Sequence, residues 1–165
     1  MDVVVTNSAG CGAAMREAGR WIGAEGETYA SRVRDVSEWL DAQGLIAPDL
    51  PVARRVCYDD PCHLVHGQGV GAAPRHLLAA IPELELVAHD DPQACCGAAG
   101  TYNLTQPEMS AAVLDRKLAS LAAAAPDIIA TGNPGCLMQL RSGAAKAGLV
   151  AEVLHPIELL DRAYS

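Results

Sequence analysis

Residues 128–136 read Ile-Ile-Ala-Thr-Gly-Asn-Pro-Gly-Cys and contain, in order, a buried strand, a turn and the start of a helix. The apolar, β-branched run predicts the strand. Asn133 provides a helix N-cap, and Pro134 suits the first helical position, where no backbone N–H is needed. Cys136 therefore falls in the first turn of the helix, just beyond the carboxyl end of the strand.

The same order of strand and helix recurs along the chain. Strands are predicted at 3–6, 52–58, 84–87, 128–131 and 149–154, and helices at 27–43, 74–81, 107–125 and from 155 onward. This alternation predicts an α/β fold of Rossmann-like type: a mostly parallel sheet of about five strands with helices on both faces. Ligand sites in such sheets gather at the carboxyl ends of the strands.

Four cysteines follow predicted strands and form the candidate metal site: Cys62, Cys95, Cys96 and Cys136. They are far apart in the chain, so only folding can bring them together. Cys62 and Cys136 lie in first turns of predicted helices, where free N–H groups and the positive end of the helix dipole favour the thiolate. Thiolates are the preferred ligands of iron–sulfur clusters and also bind zinc. The alternative is that these cysteines are small buried hydrophobes, as is expected for Cys57 inside its strand.

An internal match relates the first strand to the strand at 128–131. Residues 5–11 and 130–136 align in register, with Thr, Gly and Cys at equivalent positions and with Cys11 opposite Cys136. The match is either a chance likeness of two strand–turn–helix units or the trace of a duplicated domain. On the second interpretation, residues 1–50 are the C-terminal remnant of a first copy and residues 51–165 are a complete second copy.

Composition narrows the class of protein. The chain has 165 residues, a net charge of −8 and a pI near 4.9, which argues against a nucleic-acid partner. It has no apolar run long enough to span a bilayer and no basic segment ahead of its first apolar run, so neither a membrane span nor a signal peptide is predicted. A cytoplasmic protein with six reduced cysteines is expected.

Several short motifs together resemble one family. They are Asp-Pro-Cys-His-Leu at 60–64, Cys-Cys-Gly at 95–97, Tyr-Asn-Leu at 102–104, Gly-Asn-Pro-Gly-Cys at 132–136 and His-Pro-Ile-Glu-Leu-Leu at 155–160. This set resembles the cysteine-rich CCG domain family, and within it the C-terminal part of the glycolate oxidase iron–sulfur subunit. Related domains occur in heterodisulfide reductase and in lactate-utilisation proteins.

The resemblance implies a role in electron transfer. Two CCG domains in tandem would follow a ferredoxin-like domain, and the complex would oxidise glycolate on a partner subunit that carries FAD and pass electrons toward quinone-linked machinery. In heterodisulfide reductase, five cysteines of each CCG domain hold an unusual [4Fe–4S] assembly. Four of these positions match the candidate cysteines, and the fifth is Gln139 in this chain.

Three hypotheses follow for the function. The first is an iron–sulfur electron-transfer subunit, or part of one, of a glycolate or other 2-hydroxy-acid dehydrogenase, with a [4Fe–4S] cluster on the four cysteines. The second is a structural or assembly module of the same complex that holds Zn²⁺ on the same thiolates. The third is a thiol–disulfide oxidoreductase that works through Cys95 and Cys96. In each case Cys11, His63, His155 and Gln139 are candidates for additional residues that line the site.

Overall fold

The computed structural model describes residues 2–165. Within this range the strands are β1 (Val4–Thr6), β2 (Val33–Asp35), β3 (Arg55–Tyr58), β4 (Glu85–Leu86), β5 (Ile128–Ala130) and β6 (Glu152–Leu154). The helices are α1 (Ala9–Arg16), α2 (Gly19–Ala30), α3 (Val36–Gln43), α4 (Ala73–Ala79), α5 (Tyr102–Thr105), α6 (Pro107–Ala124), α7 (Pro134–Ala147) and α8 (Pro156–Tyr164), and a π-helical turn covers His63–Gly67. No helix in the described range has both the length and the apolar character that crossing a bilayer requires.

The strands form two parallel sheets. One sheet has four strands in the order β4-β3-β5-β6, and the other pairs β1 with β2. The predicted α/β fold with parallel strands and flanking helices is confirmed, although its strands are divided between two sheets. Because β3 and β5 are neighbours in the larger sheet, their carboxyl ends open side by side, and the segments that carry Cys62 and Cys136 start there.

Both faces of the larger sheet are covered by helices, and alternate residues of each strand point to opposite faces. On one face the strands pack against α4 and α8, through Val56, Tyr58, Ile128, Ala130, Leu154, Leu77, Leu78, Leu159 and Leu160. On the other face they pack against α6 and α7, through Cys57, Ile129, Val153, Leu118, Leu121, Leu137 and Leu140. Cys57 is fully buried in this second cluster, as predicted, and Cys96 and Cys136 lie at its edge.

The single helix predicted over 27–43 is wrong. The chain there leaves α2, forms strand β2 and then starts α3. The cause is Asp35, whose carboxylate accepts a hydrogen bond of 2.8 Å from the backbone N–H of Ser37, while Glu38 accepts one of 3.3 Å from the N–H of Asp35. This capping box begins a new helix in the middle of the apolar periodicity, because an Asp carboxylate competes with helical hydrogen bonding at its own position.

The internal match extends beyond the short aligned segments. β1, α1, β2 and α3 follow one another as β5, α7, β6 and α8 do, and each strand pair is parallel and in a single register. Cys11 and Cys136 are both the third residue of their helices, and α3 and α8 both begin with a capping box, at Asp35 and at His155. A duplicated domain would give this correspondence; the duplication and the division of the chain at residue 50 stay predictions.

Candidate metal centre

Cys96 and Cys136 form the buried part of the candidate centre. Their side chains are about 4% and 5% exposed, and the two thiols are close enough for each to shift the pKa of the other. The interaction with Cys136 raises the pKa of Cys96, and the interaction with Cys96 lowers the pKa of Cys136. Cys136 is therefore the readier thiolate of the pair, as its place in the first turn of α7 predicts.

Asn133 connects the sulfur of Cys136 to the N-terminal part of the chain. Its amide nitrogen lies 3.4 Å from Cys136 Sγ as a donor, and its amide oxygen accepts a hydrogen bond of 3.1 Å from the backbone N–H of Gly10. The predicted N-cap role is thus correct in position only, because the side chain does not bond to the N–H groups of α7. A neighbouring bond of 3.2 Å, from the N–H of Ala9 to the carbonyl of Gly132, joins the same two turns.

Cys62 and Cys95 are half-buried on the outer side of this pair. Burial raises the pKa of Cys62, and negative charge on Cys95 and Cys96 raises it further. The backbone N–H groups of Cys62 and His63 lower this pKa, as a helix start at Cys62 predicts, but burial is the larger effect. Cys95 Sγ accepts a hydrogen bond of 3.3 Å from the backbone N–H of Gly97.

The four candidate thiols affect one another electrostatically, but they are not arranged as the ligands of one metal ion. Charge on Cys62 acts on Cys136, and charge on Cys95 and Cys96 acts on Cys62. Within residues 2–165, no three side chains of Cys, His, Asp or Glu are arranged to hold one metal ion. Binding of a shared ligand would therefore require rearrangement of these side chains and loss of the thiol protons.

A chain of hydrogen bonds shapes the Cys-Cys-Gly turn. Gly97 has φ +88, and its carbonyl accepts a hydrogen bond of 2.8 Å from the hydroxyl of Ser110. The same hydroxyl accepts one of 3.0 Å from the amide nitrogen of Gln139, whose amide oxygen faces the side-chain nitrogen of Asn103 at 3.4 Å. Gln139 thus ties α7 to α6 and to this turn.

Comparison with known proteins assigns the family. Residues 56–141, just over half of the chain, match the family described as the cysteine-rich domain, CCG. The chain belongs to the CCG family. The match includes all four candidate cysteines and both strands whose carboxyl ends open toward them.

Individual relatives match nearly the whole chain. The probable glycolate oxidase iron–sulfur subunit of Bacillus subtilis is 34% identical over 97% of this chain and 38% of its own length. A subunit of the fumarate reductase (CoM/CoB) of Methanothermobacter marburgensis is 35% identical over 99% of this chain and 33% of its own length. Lactate utilization protein A of Geobacillus kaustophilus is 28% identical over 97% of this chain and 70% of its own length. The chain thus spans roughly a third of the first two relatives.

Two of the additional candidates for the site, Cys11 and His63, are exposed. Cys11 is exposed near the start of α1, and the contacts of Ala9 and Gly10 place that helix start against the turn before Cys136. His63 is exposed, with its Nδ1 atom 3.6 Å from Cys62 Sγ.

His155 has both ring nitrogens engaged. Nδ1 accepts a hydrogen bond of 3.1 Å from the N–H of Ile157, so Nε2 carries the proton and donates to the carbonyl of Asn7 at 3.0 Å. The side chain is 8% exposed, and burial lowers its pKa. His155 therefore acts as the N-cap of α8 and as a link to the N-terminal part of the chain, with no ring nitrogen left for a metal.

The buried neutral His155 gives a testable dependence of stability on pH. Its folded pKa lies below the unfolded value near 6.5, so its contribution is complete above about pH 6.5 and is lost as the pH falls below it. Protonation of Nδ1 breaks the cap. We expect His155→Asn, which keeps a capping side chain, to flatten the fall in unfolding free energy between about pH 7.5 and 5.5 by on the order of 1 kcal/mol. Urea denaturation of both proteins at the two pH values tests this, and equal slopes would contradict it.

Three charged residues near the centre are buried, and the sequence analysis did not predict their burial. Asp59 is 1% exposed, Asp60 4% and Lys117 2%. The position of Asp60 ahead of Pro61 predicts an N-cap, but its carboxylate pairs with Arg75 instead. The sequence does contain one signal for Lys117, because it falls on the same face of α6 as Leu118 and Leu121 and so interrupts an apolar stripe.

Proposed function

We propose that this chain is the cluster-binding part of an iron–sulfur subunit in a cytoplasmic oxidoreductase complex and that it transfers electrons. Cys62, Cys95, Cys96 and Cys136 would hold the cluster. The observation that carries the proposal is the burial of Cys96 and Cys136 in one cluster at the carboxyl edge of the sheet, with the other two thiols within electrostatic reach. Relatives whose names describe iron–sulfur subunits point to the same role.

The donor set suits an iron–sulfur cluster. Soft thiolates are its usual ligands, and N–H groups directed at the sulfurs tune its reduction potential. Two such donors are present, the backbone N–H of Gly97 toward Cys95 and the amide of Asn133 toward Cys136. We assign a [4Fe–4S] cluster with four thiolates, because Gln139 supplies an amide at the position of the fifth family cysteine and is already engaged with Ser110.

The residues around the centre have distinct tasks when a cluster is bound. When bound, the cluster would accept and donate one electron at a time. Cys96 and Cys136, together with the apolar side chains of α6 and α7 behind them, keep water from the inner side of the centre. Cys62 and Cys95 are half-buried and thus more accessible than Cys96 and Cys136, so electrons would enter and leave on their side of the centre.

The finer assignment follows the glycolate oxidase relatives. We propose that the complex oxidises glycolate or a similar 2-hydroxy acid on a partner subunit that carries FAD, and that electrons pass through this chain toward quinone. Since the chain spans about a third of the first relatives, other segments would complete the path.

Metal and sulfide analysis of the protein purified without oxygen tests the proposal. We expect about four iron atoms and about four acid-labile sulfides per chain. Cys96→Ser and Cys136→Ser are each expected to remove most of both. Cys57→Ala is the matched control, because Cys57 is a buried cysteine of the same core and is expected to leave the iron content unchanged.

Other outcomes would overturn the proposal. Zinc without sulfide would point to the structural module on the same thiolates. Metal-free protein with rapid alkylation of one thiol of the Cys95–Cys96 pair would point to the thiol–disulfide enzyme. Equal loss of iron from Cys57→Ala and Cys136→Ser would show that the core, and not this set of thiols, controls loading.

A further inference from the structure

Lys117 is a buried cation at the centre of three segments. Its side chain is about 1% exposed, and no other Lys or Arg in residues 2–165 is buried. Its Nζ atom lies 2.6 Å from Asp59 Oδ1, and it donates to the backbone carbonyls of Asp91 at 3.0 Å and Pro92 at 3.1 Å. The carboxylate oxygen accepts no regularly directed hydrogen bond, so its attraction to Lys117 is mainly ionic.

These contacts join the segments that carry the site cysteines. Asp59 directly follows β3 and lies three residues before Cys62. Asp91 and Pro92 belong to the loop that leads to Cys95 and Cys96, and the carbonyl of Pro92 also accepts a hydrogen bond of 3.1 Å from the N–H of Asp60. An ammonium group donates at most three hydrogen bonds. Lys117 donates two to these carbonyls, and its charge pairs with the carboxylate of Asp59.

We propose that Lys117 is a positioning residue that clamps the loop carrying Cys95 and Cys96 against the strand end that leads to Cys62. Other bonds hold the start of this loop, since Ser120 donates to the carbonyl of Asp90 and also contacts His89. Among the described residues between Asp91 and Cys95, however, only the Asp60–Pro92 bond and the turn in which Ala94 donates to Asp91 would remain without Lys117. Lys117 also places a positive charge beside Asp59 in a region where the cysteines are to carry negative charge. The effect on the cluster rests on the proposed function, but the clamp itself is a property of the metal-free chain.

The clamp predicts a local change that a general loss of stability would not give. We expect Lys117→Met to raise the exchange rate of the amide hydrogens over residues 90–96 by about tenfold or more, and to expose Cys95 to alkylation by a similar factor. Lys117→Arg keeps the charge and several donors and is expected to restore most of the protection. Arg116→Met is the control, because Arg116 is the exposed neighbour on the same helix.

The pair Asp59→Asn and Lys117→Met separates positioning from charge balance. The single variant Lys117→Met leaves the Asp59 carboxylate buried and unpaired, so it can unfold for this reason alone. The double variant removes both charges and is expected to regain much of the thermal stability while residues 90–96 stay unprotected. Wild-type protection in the double variant would overturn the proposal, because Lys117 would then serve only as the partner of Asp59.

Loading with iron provides the second readout. With a cluster bound, the double variant is expected to show an altered electron paramagnetic resonance spectrum and lower iron retention than Arg116→Met. A spectrum and a retention identical to wild type would also overturn the proposal for the cluster. If the wild-type chain binds no cluster, hydrogen exchange still tests the clamp, so failure of the proposed function can be told apart from failure of this inference.

Discussion

Replacing Gly97 with alanine is expected to lower the free energy of unfolding by about 3 kcal/mol or more and to abolish iron loading. Two physical causes add. Gly97 has φ +88, a conformation that L side chains rarely adopt, and a Cβ atom there would lie 2.5 Å from the backbone carbonyl oxygen of Ser110. That oxygen belongs to α6 and cannot move by itself, so the Cys-Cys-Gly turn would have to shift and carry Cys95 and Cys96 away.

Gly100 provides the matched control for this experiment. It also has a positive φ, +68, but nothing lies within 4 Å of the position that a Cβ atom would take. Gly100→Ala should therefore show the cost of backbone strain alone, about 1 kcal/mol, with iron loading retained. Urea denaturation and iron analysis of both variants make the comparison. Equal losses in the two would show that the clash with Ser110 does not matter.

Replacing Arg75 with methionine is the second change expected to have a large effect, about 3 kcal/mol of lost stability. The guanidinium group binds both carboxylate oxygens of Asp60, at 2.6 and 2.8 Å, donates to the carbonyl of Gly71 and lies 4.8 Å from the ring centre of Tyr58. The Asp60 side chain is only 2% exposed, so its charge would remain buried without a partner. We expect weaker iron loading as well, because Asp60 lies two residues before Cys62.

The pair formed by Arg162 and Glu152 is the control. This ion pair is also bidentate, with hydrogen bonds of 2.9 and 2.6 Å from the guanidinium to the two carboxylate oxygens, but both side chains are nearly half exposed. Arg162→Met should cost less than about 1 kcal/mol, since water screens the pair and solvates whichever charge remains. A double variant with Asp60→Asn and Arg75→Met should recover part of the loss. If Arg75→Met is no more harmful than Arg162→Met, burial of Asp60 does not govern the energy of the pair.

The errors of the sequence analysis share a physical cause. The helix predicted over 27–43 was wrong because Asp35 starts a new helix through its side chain, a choice that the apolar spacing does not reveal. At Cys62 the backbone N–H groups favour the thiolate as predicted, but burial has the larger effect on the pKa. In both cases the local sequence pattern was read correctly, but a side-chain hydrogen bond or burial in the folded chain had the larger effect.

The strand–turn–helix units, the parallel α/β fold and the order in which the cysteines leave the strands could all be read from the sequence. These features rest on local signals: apolar β-branched runs, prolines at helix starts, and glycine or Asn at turns. Only the folded structure decided the pairing of Asp59 with Lys117 and of Asp60 with Arg75, the hydrogen bond between Asn133 and Gly10, and the packing of Cys96 beside Cys136. Each of these joins groups far apart in the chain, and their energy depends on distance and burial that no local pattern encodes.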